Sequence, residues 1–252
     1  RQRKVYVSAD LEYLLSPEDI AGKSVEELNE ILKNKFTFDN FRWQQENGIR
    51  IAEAFRADCL NRVLYKCPHC NMEGKMVGRG TVIACENCGV HYELDEYGYL
   101  RLAEAGPSIE KEGTVEAQGR RNAPFSHVPD WYRWERECVR RELEEGVYQL
   151  DIAVDICMMV DTKSIYRVGS GRLRHSAEGF HLTGCDGKLD YTQKPSASYS
   201  LYSDYYWYEI GDMICIGNSQ VLYYCFPTEG KDVVAKTRLA AEELYKLRRG
   251  SS

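Results

Sequence analysis

Two paired-cysteine turns constrain this chain more than any other feature of its sequence. Cys67 and Cys70 bracket the first turn, Cys85 and Cys88 bracket the second, and fourteen residues separate the two. Two such turns bring four thiolates to one tetrahedral metal ion, most often zinc. With all four positions held by protein sulfur, none is left for water or substrate. The pattern therefore predicts a structural zinc site.

The segment that carries these turns, residues 63–104, is predicted to be a zinc ribbon of about three strands. Gly89 directly follows the second turn and suits the positive φ at which such turns close. A domain this small has too little core to be stable alone. We therefore expect the metal to contribute folding free energy, and Cys67→Ser or Cys85→Ser to unfold the ribbon.

Composition excludes some functions. The chain has 252 residues and a formal net charge of −6, with 43% hydrophobic and 29% charged residues, which predicts a packed, folded protein. The negative net charge disfavours nonspecific binding to nucleic acid. Near the cysteine turns only Lys66, Lys75 and Arg79 are basic. Nucleic acid is therefore not the expected partner.

Two further observations bear on cellular location. No stretch approaches the roughly 18 apolar residues that a membrane helix needs. Of the ten cysteines, four belong to the metal pattern, and most of the others are single residues in apolar segments. Reduced thiols in a cytoplasmic setting are the simpler interpretation.

The remaining organisation predicts an α+β fold. Residues 1–62 carry short amphipathic helices with capping signals at Ser16 and Ser24, and read as a helical remnant of an upstream domain. Residues 105–126 read as a linker. Residues 127–252 are predicted to form a helix near 129–145, a series of short β segments, and a C-terminal amphipathic helix at 233–247.

The β segments predict an antiparallel barrel or sandwich. They include Ser164–Val168, Arg172–His175 and Ser198–Tyr202, and the turns between segments include Gly169-Ser170-Gly171. A barrel followed by one helix resembles the pleckstrin-homology-like architecture, in which the helix closes one end of the barrel.

A basic group on one predicted hairpin suggests an anion site. It comprises Lys163, Arg167, Arg172 and Arg174. In a pleckstrin-homology-like barrel the early hairpin often binds anionic lipid headgroups. A solvated basic edge is the alternative interpretation, and general grounds favour it.

His181 and Asp186 form an H-x4-D string, the arrangement that gives glycerolipid acyltransferases a general base. Phe226-Pro227-Thr228-Glu229-Gly230 looks like a distorted phosphate-binding element of the same enzymes. Such a short string arises readily by chance, and the inserted Thr228 breaks the second element. A Cys–His pair such as Cys185 with His181 is a further option, but buried thiols are commoner.

Several longer stretches resemble the region downstream of the catalytic domain in bacterial lysophosphatidate acyltransferase-like proteins. They are Ser16–Ile20, Ser24–Leu28, Phe41–Gln44, Val63–Cys70, Phe125–Glu135 and Gly179–Tyr208. The resemblance covers nearly all of the chain. It implies an upstream acyltransferase domain in the same polypeptide and a place at the inner face of the membrane through that domain. It transfers no catalytic residue.

The leading hypothesis is thus a non-catalytic accessory module of a lysophospholipid acyltransferase-like protein. It would contain zinc and would dock a protein partner or anionic lipid headgroups. One alternative is a self-contained acyltransferase or other transferase that uses His181 and Asp186. The other is a zinc-ribbon adaptor for nucleic acid or protein.

Overall fold

The computed structural model describes residue 9 and residues 11–103, 123–161, 164–202, 206–207, 210–230 and 232–250. Over these residues the chain forms a mixed α/β structure with five α-helices and antiparallel sheets. Among these residues, no helix combines the length and apolar character that a membrane span requires.

Three short helices open the described chain: α1 (Pro17–Ala21), α2 (Val25–Phe36) and α3 (Asn40–Glu46). The predicted N-cap at Ser16 and the predicted capping box at Ser24 are confirmed, and Ser16 also forms a capping box. Ser16 and Ser24 each accept a hydrogen bond from the backbone N–H three residues on, and the acidic residue there accepts one in return. Neither α1 nor α2 contains a buried residue. A 3-10 helix at Leu60–Arg62 follows.

The cysteine region forms a four-stranded antiparallel sheet in sequential order. Its strands are β1 (Met76–Arg79), β2 (Val82–Cys85), β3 (His91–Leu94) and β4 (Leu100–Leu102). The sheet has one strand more than expected. Leu64, Ile83, Tyr92 and Leu100 form its core, and Phe125, near the end of the predicted linker, packs against that core. Residues 105–122 of that linker lie outside the described residues.

Helix α4 (Val128–Glu144) joins this core to the rest of the molecule. Its N-terminal half contributes Val128 and Trp131 to the core of the cysteine region. Its C-terminal half contributes Val139 to a cluster with Tyr65 and with helix α5 (Val233–Gly250). One helix therefore packs against both the cysteine region and α5.

The second β region is a six-stranded antiparallel sheet. Its strands are β5 (Leu150–Val160), β6 (Ser164–Ser176), β7 (Gly179–Gly184), β8 (Leu189–Gln193), β11 (Ile214–Gly217) and β12 (Val221–Pro227), in the spatial order β11-β12-β5-β6-β7-β8. Between β8 and β11 lie a 3-10 helix (Pro195–Ala197) and a small ribbon of β9 (Tyr206–Trp207) and β10 (Gly211–Asp212).

The sheet curls into a half-barrel around α5. Its inner face includes Ile156 and Leu182, and Val234 and Ala241 of α5 pack into the same core. The rings of Tyr191 and Tyr223 are 4.8 Å apart, which brings β8 towards β12. The predicted barrel is corrected to a half-barrel, because no backbone ladder joins β8 to β11 in the described residues.

Two strand predictions are wrong. The Gly169-Ser170-Gly171 segment is not a turn but lies inside β6, so the segments predicted at Ser164–Val168 and Arg172–His175 form one strand. The pairing of β5 with β6 shifts its register between Ile156 and Cys157, as at a β-bulge, next to the glycines of β6. The predicted strand Ser198–Tyr202 is irregular chain after the second 3-10 helix.

Candidate metal centre

The four cysteines of the predicted site converge on one point. All four Sγ atoms lie within 4.8 Å of one another. The Sγ atoms of Cys67 and Cys88 are 3.7 Å apart, as are those of Cys70 and Cys85. A tetrahedron with metal–sulfur bonds of about 2.3 Å has edges of about 3.8 Å. The cluster can therefore hold a metal ion, and 3.7 Å is far too long for a disulfide.

Each cysteine pair sits on a tight turn of the same design. In the first turn, the N–H of Asn71 donates to the carbonyl of Cys67 at 2.9 Å. In the second, the N–H of Gly89 donates to the carbonyl of Cys85 at 2.9 Å. Asn71 and Gly89 have φ of 60° and 73°, which glycine and asparagine adopt most readily. The predicted positive φ at Gly89 is confirmed.

The thiols differ in their surroundings. Burial raises the pKa of Cys67, although the backbone N–H groups of Cys70 and His69 oppose the rise. Burial also acts on Cys70, but hydrogen bonds from the N–H of Met72 and the side chain of Asn87 outweigh it and lower the pKa of Cys70 to about 7. Donors directed at sulfur favour the thiolate, which is the form that ligates a metal.

Two members of the cluster are buried, Cys67 and Cys85, and the other two are partly exposed. His69 is exposed beside the first turn. Among the described residues, only the four cysteines form a group of metal-ligand type. The site thus offers four sulfur ligands and no histidine.

Helix α4 supports the first cysteine turn through Lys66, the residue before Cys67. The indole Nε1 of Trp131 donates to the Lys66 carbonyl at 3.0 Å, and the Lys66 N–H donates to Glu135 Oε1 at 2.8 Å. Trp131 also meets the ring of Tyr92 edge-on, with centroids 5.1 Å apart. Both main-chain polar groups of Lys66, its N–H and its carbonyl, are therefore held by side chains of α4 where the chain enters the cluster.

Glu135 is the residue of this centre that the sequence did not reveal. It is fully buried, and burial raises its pKa well above the ordinary value. A signal was present, because Glu135 lies four residues from both Trp131 and Val139 on the buried stripe of α4. Glutamate in an amphipathic helix is nevertheless expected to face solvent.

The predicted basic group is distributed over several ion pairs. Arg172 and Arg174 share Asp151, with Nε–Oδ distances of 2.5 and 3.3 Å. Arg167 Nη2 lies 3.0 Å from Asp155 Oδ2. Lys163 lies outside the described residues. The three described arginines are therefore each matched by a carboxylate from the neighbouring strand.

The H-x4-D string does not assemble into a catalytic pair. His181 Nε2 lies 3.0 Å from Oδ1 of Asp190, a residue of the adjacent strand β8. Asp186 lies in the β7–β8 turn with a φ of 55° and is exposed. Asp190 is also largely exposed, so the pair that does form is a hydrogen-bonded surface pair rather than a buried dyad.

We find no match to this chain among protein-family models, curated proteins or solved structures.

Proposed function

We propose that the four cysteines bind one zinc ion as a zinc ribbon, and that the chain is a non-catalytic accessory module of a lysophospholipid acyltransferase-like protein. The observation that carries this proposal is the four-sulfur cluster with 3.7 Å edges. Tetrahedral all-sulfur sites are typical of structural zinc, and they leave no ligand position for substrate.

The site is suited to holding structure together. The metal would fix the two cysteine turns, and Lys66 links the first turn to α4. Helix α4 in turn forms ion pairs with α5: Arg136 contacts Glu242 and Glu243 at 2.7 and 2.9 Å. Zinc would therefore stabilise the ribbon end of a series of contacts that runs from the first cysteine turn through α4 to α5 in the half-barrel. The order of six curled strands and one closing helix supports a pleckstrin-homology-like domain for the second part.

The acyltransferase context rests on the sequence stretches named above. Consistent with an accessory role, His181 pairs with Asp190 on the surface rather than with Asp186 in a cleft. We propose that catalysis belongs to an acyltransferase domain of the same polypeptide, which would hold the module at the inner face of the membrane.

Helices α1 and α2 support a docking role towards that domain. They present several exposed apolar side chains and bury none. Exposed members include Ile20, Val25, Leu32 and Phe36. Val25, Leu32 and Phe36 recur on one face of α2 by their spacing, and apolar side chains exposed together are a feature of interaction sites. The arginine group supports lipid binding less well, because an anionic headgroup would have to compete with Asp151 and Asp155 for it.

Two measurements test the proposal. Metal analysis of the purified chain should give one zinc per molecule and no iron. The absence of visible absorbance would be a second sign that the four sulfurs do not hold iron. The same sample, given acyl-CoA and lysophosphatidate, should show no acyl transfer. Acyl transfer that disappears in His181→Ala would contradict the non-catalytic assignment.

Docking is tested with the acyltransferase-like domain expressed as a separate chain. Leu32→Glu and Phe36→Glu should abolish co-purification of the two. Glu30→Gln, on the same helix, should leave it intact. Equal co-purification of all three variants would exclude α2 as the contact.

A further inference from the structure

A cavity of about 530 Å³ lies where the cysteine region meets the half-barrel. The hairpin that leads into β1 forms one wall, with Glu73 and Lys75. Residues 228–230 and Asp232, which follow β12, form another together with the first turn of α5. This volume is in the range of cavities that bind small metabolites.

Every carboxylate that lines this cavity is engaged within the protein. Glu73 contacts the ammonium groups of Lys236 at 2.8 Å and Lys66 at 3.2 Å. Glu229 accepts a hydrogen bond from the N–H of Ala153 at 2.7 Å and lies 3.6 Å from Arg172. Asp232 accepts one from Asn61 at 3.0 Å.

Donors that line the cavity remain available. The hydroxyl of Tyr65 is buried and has no hydrogen-bond partner, an uncommon state for a buried polar group. Among the described residues, neither the ammonium of exposed Lys75 nor the hydroxyl of Thr228 has a partner. The first turn of α5, at Val233, adds the positive end of a helix.

The walls also include an apolar part. Leu150 and Val233 line the cavity, as does the ring of Tyr148, whose hydroxyl is already bonded to His175 Nδ1 at 2.9 Å. A bare inorganic ion would leave this part of a 530 Å³ space unused. A ligand with an anionic group and a small organic body would match both the available donors and the apolar wall.

We propose that this cavity binds a phosphate monoester. The phosphate would take the unpaired donors of Lys75, Thr228 and Tyr65, and the organic part would lie against Leu150 and Val233. Charged donors and buried hydroxyls are the groups that recognise phosphate in proteins. Such a ligand would contact both the ribbon hairpin and α5, and so would tighten the joint between the two β regions.

The test uses the zinc-loaded chain in two arms. In the soluble arm, calorimetry measures binding of glycerol 3-phosphate and inorganic phosphate. In the vesicle arm, sedimentation compares phosphatidylcholine vesicles with and without phosphatidic acid. Binding should weaken about tenfold or more in Lys75→Ala and about threefold or more in Tyr65→Phe. Lys188→Ala, an exposed lysine of the β7–β8 turn, is the matched control and should bind as the unmodified chain does.

The arms separate the two sources of a phosphate monoester. Binding in the soluble arm that Lys75→Ala weakens identifies a free phosphate ester. Binding confined to phosphatidic acid vesicles, with the same sensitivity, identifies a lipid headgroup. The proposal is overturned by no binding in either arm, or by binding that Lys75→Ala and Tyr65→Phe leave unchanged. A chain that carries zinc but binds no phosphate would leave the zinc-ribbon proposal intact.

Discussion

Glu135 of α4 accepts a 2.8 Å hydrogen bond from the backbone N–H of Lys66, the residue immediately before the first cysteine of the four-sulfur cluster. The carboxyl group is fully buried, and its second oxygen has no partner. A polar group in this position costs desolvation free energy, so its role must be to orient the chain that enters the cysteine turn. The cluster and α4 are thereby one structural unit.

The first prediction concerns this carboxyl group. Burial raises the pKa of Glu135 well above 4.5, so the folded state keeps a proton that the unfolded chain releases. Stability should therefore fall as pH rises above about 4.5. Glu135→Gln keeps an acceptor but cannot ionise. Its free energy of unfolding should therefore increase relative to that of the unmodified chain as pH rises from 5.5 to 8. Chemical denaturation with saturating zinc measures both.

Glu135→Ala separates the hydrogen bond from the ionisation. It removes the acceptor and leaves the Lys66 N–H buried without a partner, which should cost about 1–3 kcal/mol relative to Glu135→Gln at every pH. If Glu135→Gln and Glu135→Ala have the same free energy of unfolding, Glu135 does not act as an acceptor for Lys66.

The second prediction concerns the metal ligands. If the proposed zinc ion holds the small core around Ile83 together, Cys85→Ser should reduce bound zinc to well below one per chain and should unfold the four-stranded sheet. Since Trp131 packs in that core, its fluorescence should shift to longer wavelength. Metal analysis and emission spectra of the same sample report the two effects.

Cys59→Ser is the matched control for the cysteine change. Cys59 is exposed and lies outside the four-sulfur cluster. This variant should keep its zinc and its emission spectrum. Loss of zinc in Cys59→Ser, or a folded sheet in zinc-free Cys85→Ser, would contradict the assignment of ligands.

The third prediction concerns the contact between α4 and α5. The Glu243 carboxylate is 3% exposed and contacts Arg136, Arg140 and Lys246. Burial raises its pKa, but these three cations outweigh burial and lower the pKa to about 2. The stabilisation is thus present above about pH 4.5 and is lost as pH falls towards 2.

Glu243→Gln should therefore cost about 3 kcal/mol at pH 7, because it leaves half-buried Arg136 without part of its charge partner. The difference from the unmodified chain should shrink in acid. Lys246→Ala removes only a partner that is 44% exposed and should cost well under about 1 kcal/mol. Urea denaturation at pH 7 and pH 4 would show whether the two variants differ in this way.

The features that the sequence predicted well are those fixed by local geometry. The cysteine spacing set both turns and their convergence, and the serines at positions 16 and 24 capped their helices through bonds that span three residues. Chain-local hydrogen bonds need no knowledge of the tertiary fold. Spacing and residue type therefore suffice to predict them.

The features that the sequence left out depend on register between distant segments. His181 meets Asp190 rather than Asp186 because β7 pairs with β8 and places Thr183 opposite Asp190, on the same side of the sheet as His181. The arginines of β6 meet carboxylates of β5 for the same reason. No local pattern encodes such a register, so a sequence motif cannot by itself identify the partner of His181.

The glycine segment of β6 gives the last prediction, because sequence reasoning took it for a turn. A Cβ added at Gly171 would lie 2.2 Å from the carbonyl oxygen of Thr183 and 2.9 Å from Ile156 Cδ1. Gly171→Ala should therefore force β6 away from β7 and cost about 1–3 kcal/mol or more. Gly22→Ala, where the nearest atom would be 3.6 Å away and φ is −89°, should change the free energy of unfolding by less than about 0.5 kcal/mol. Equal stability of the two variants in urea would show that β6 and β7 do not approach closely at Gly171.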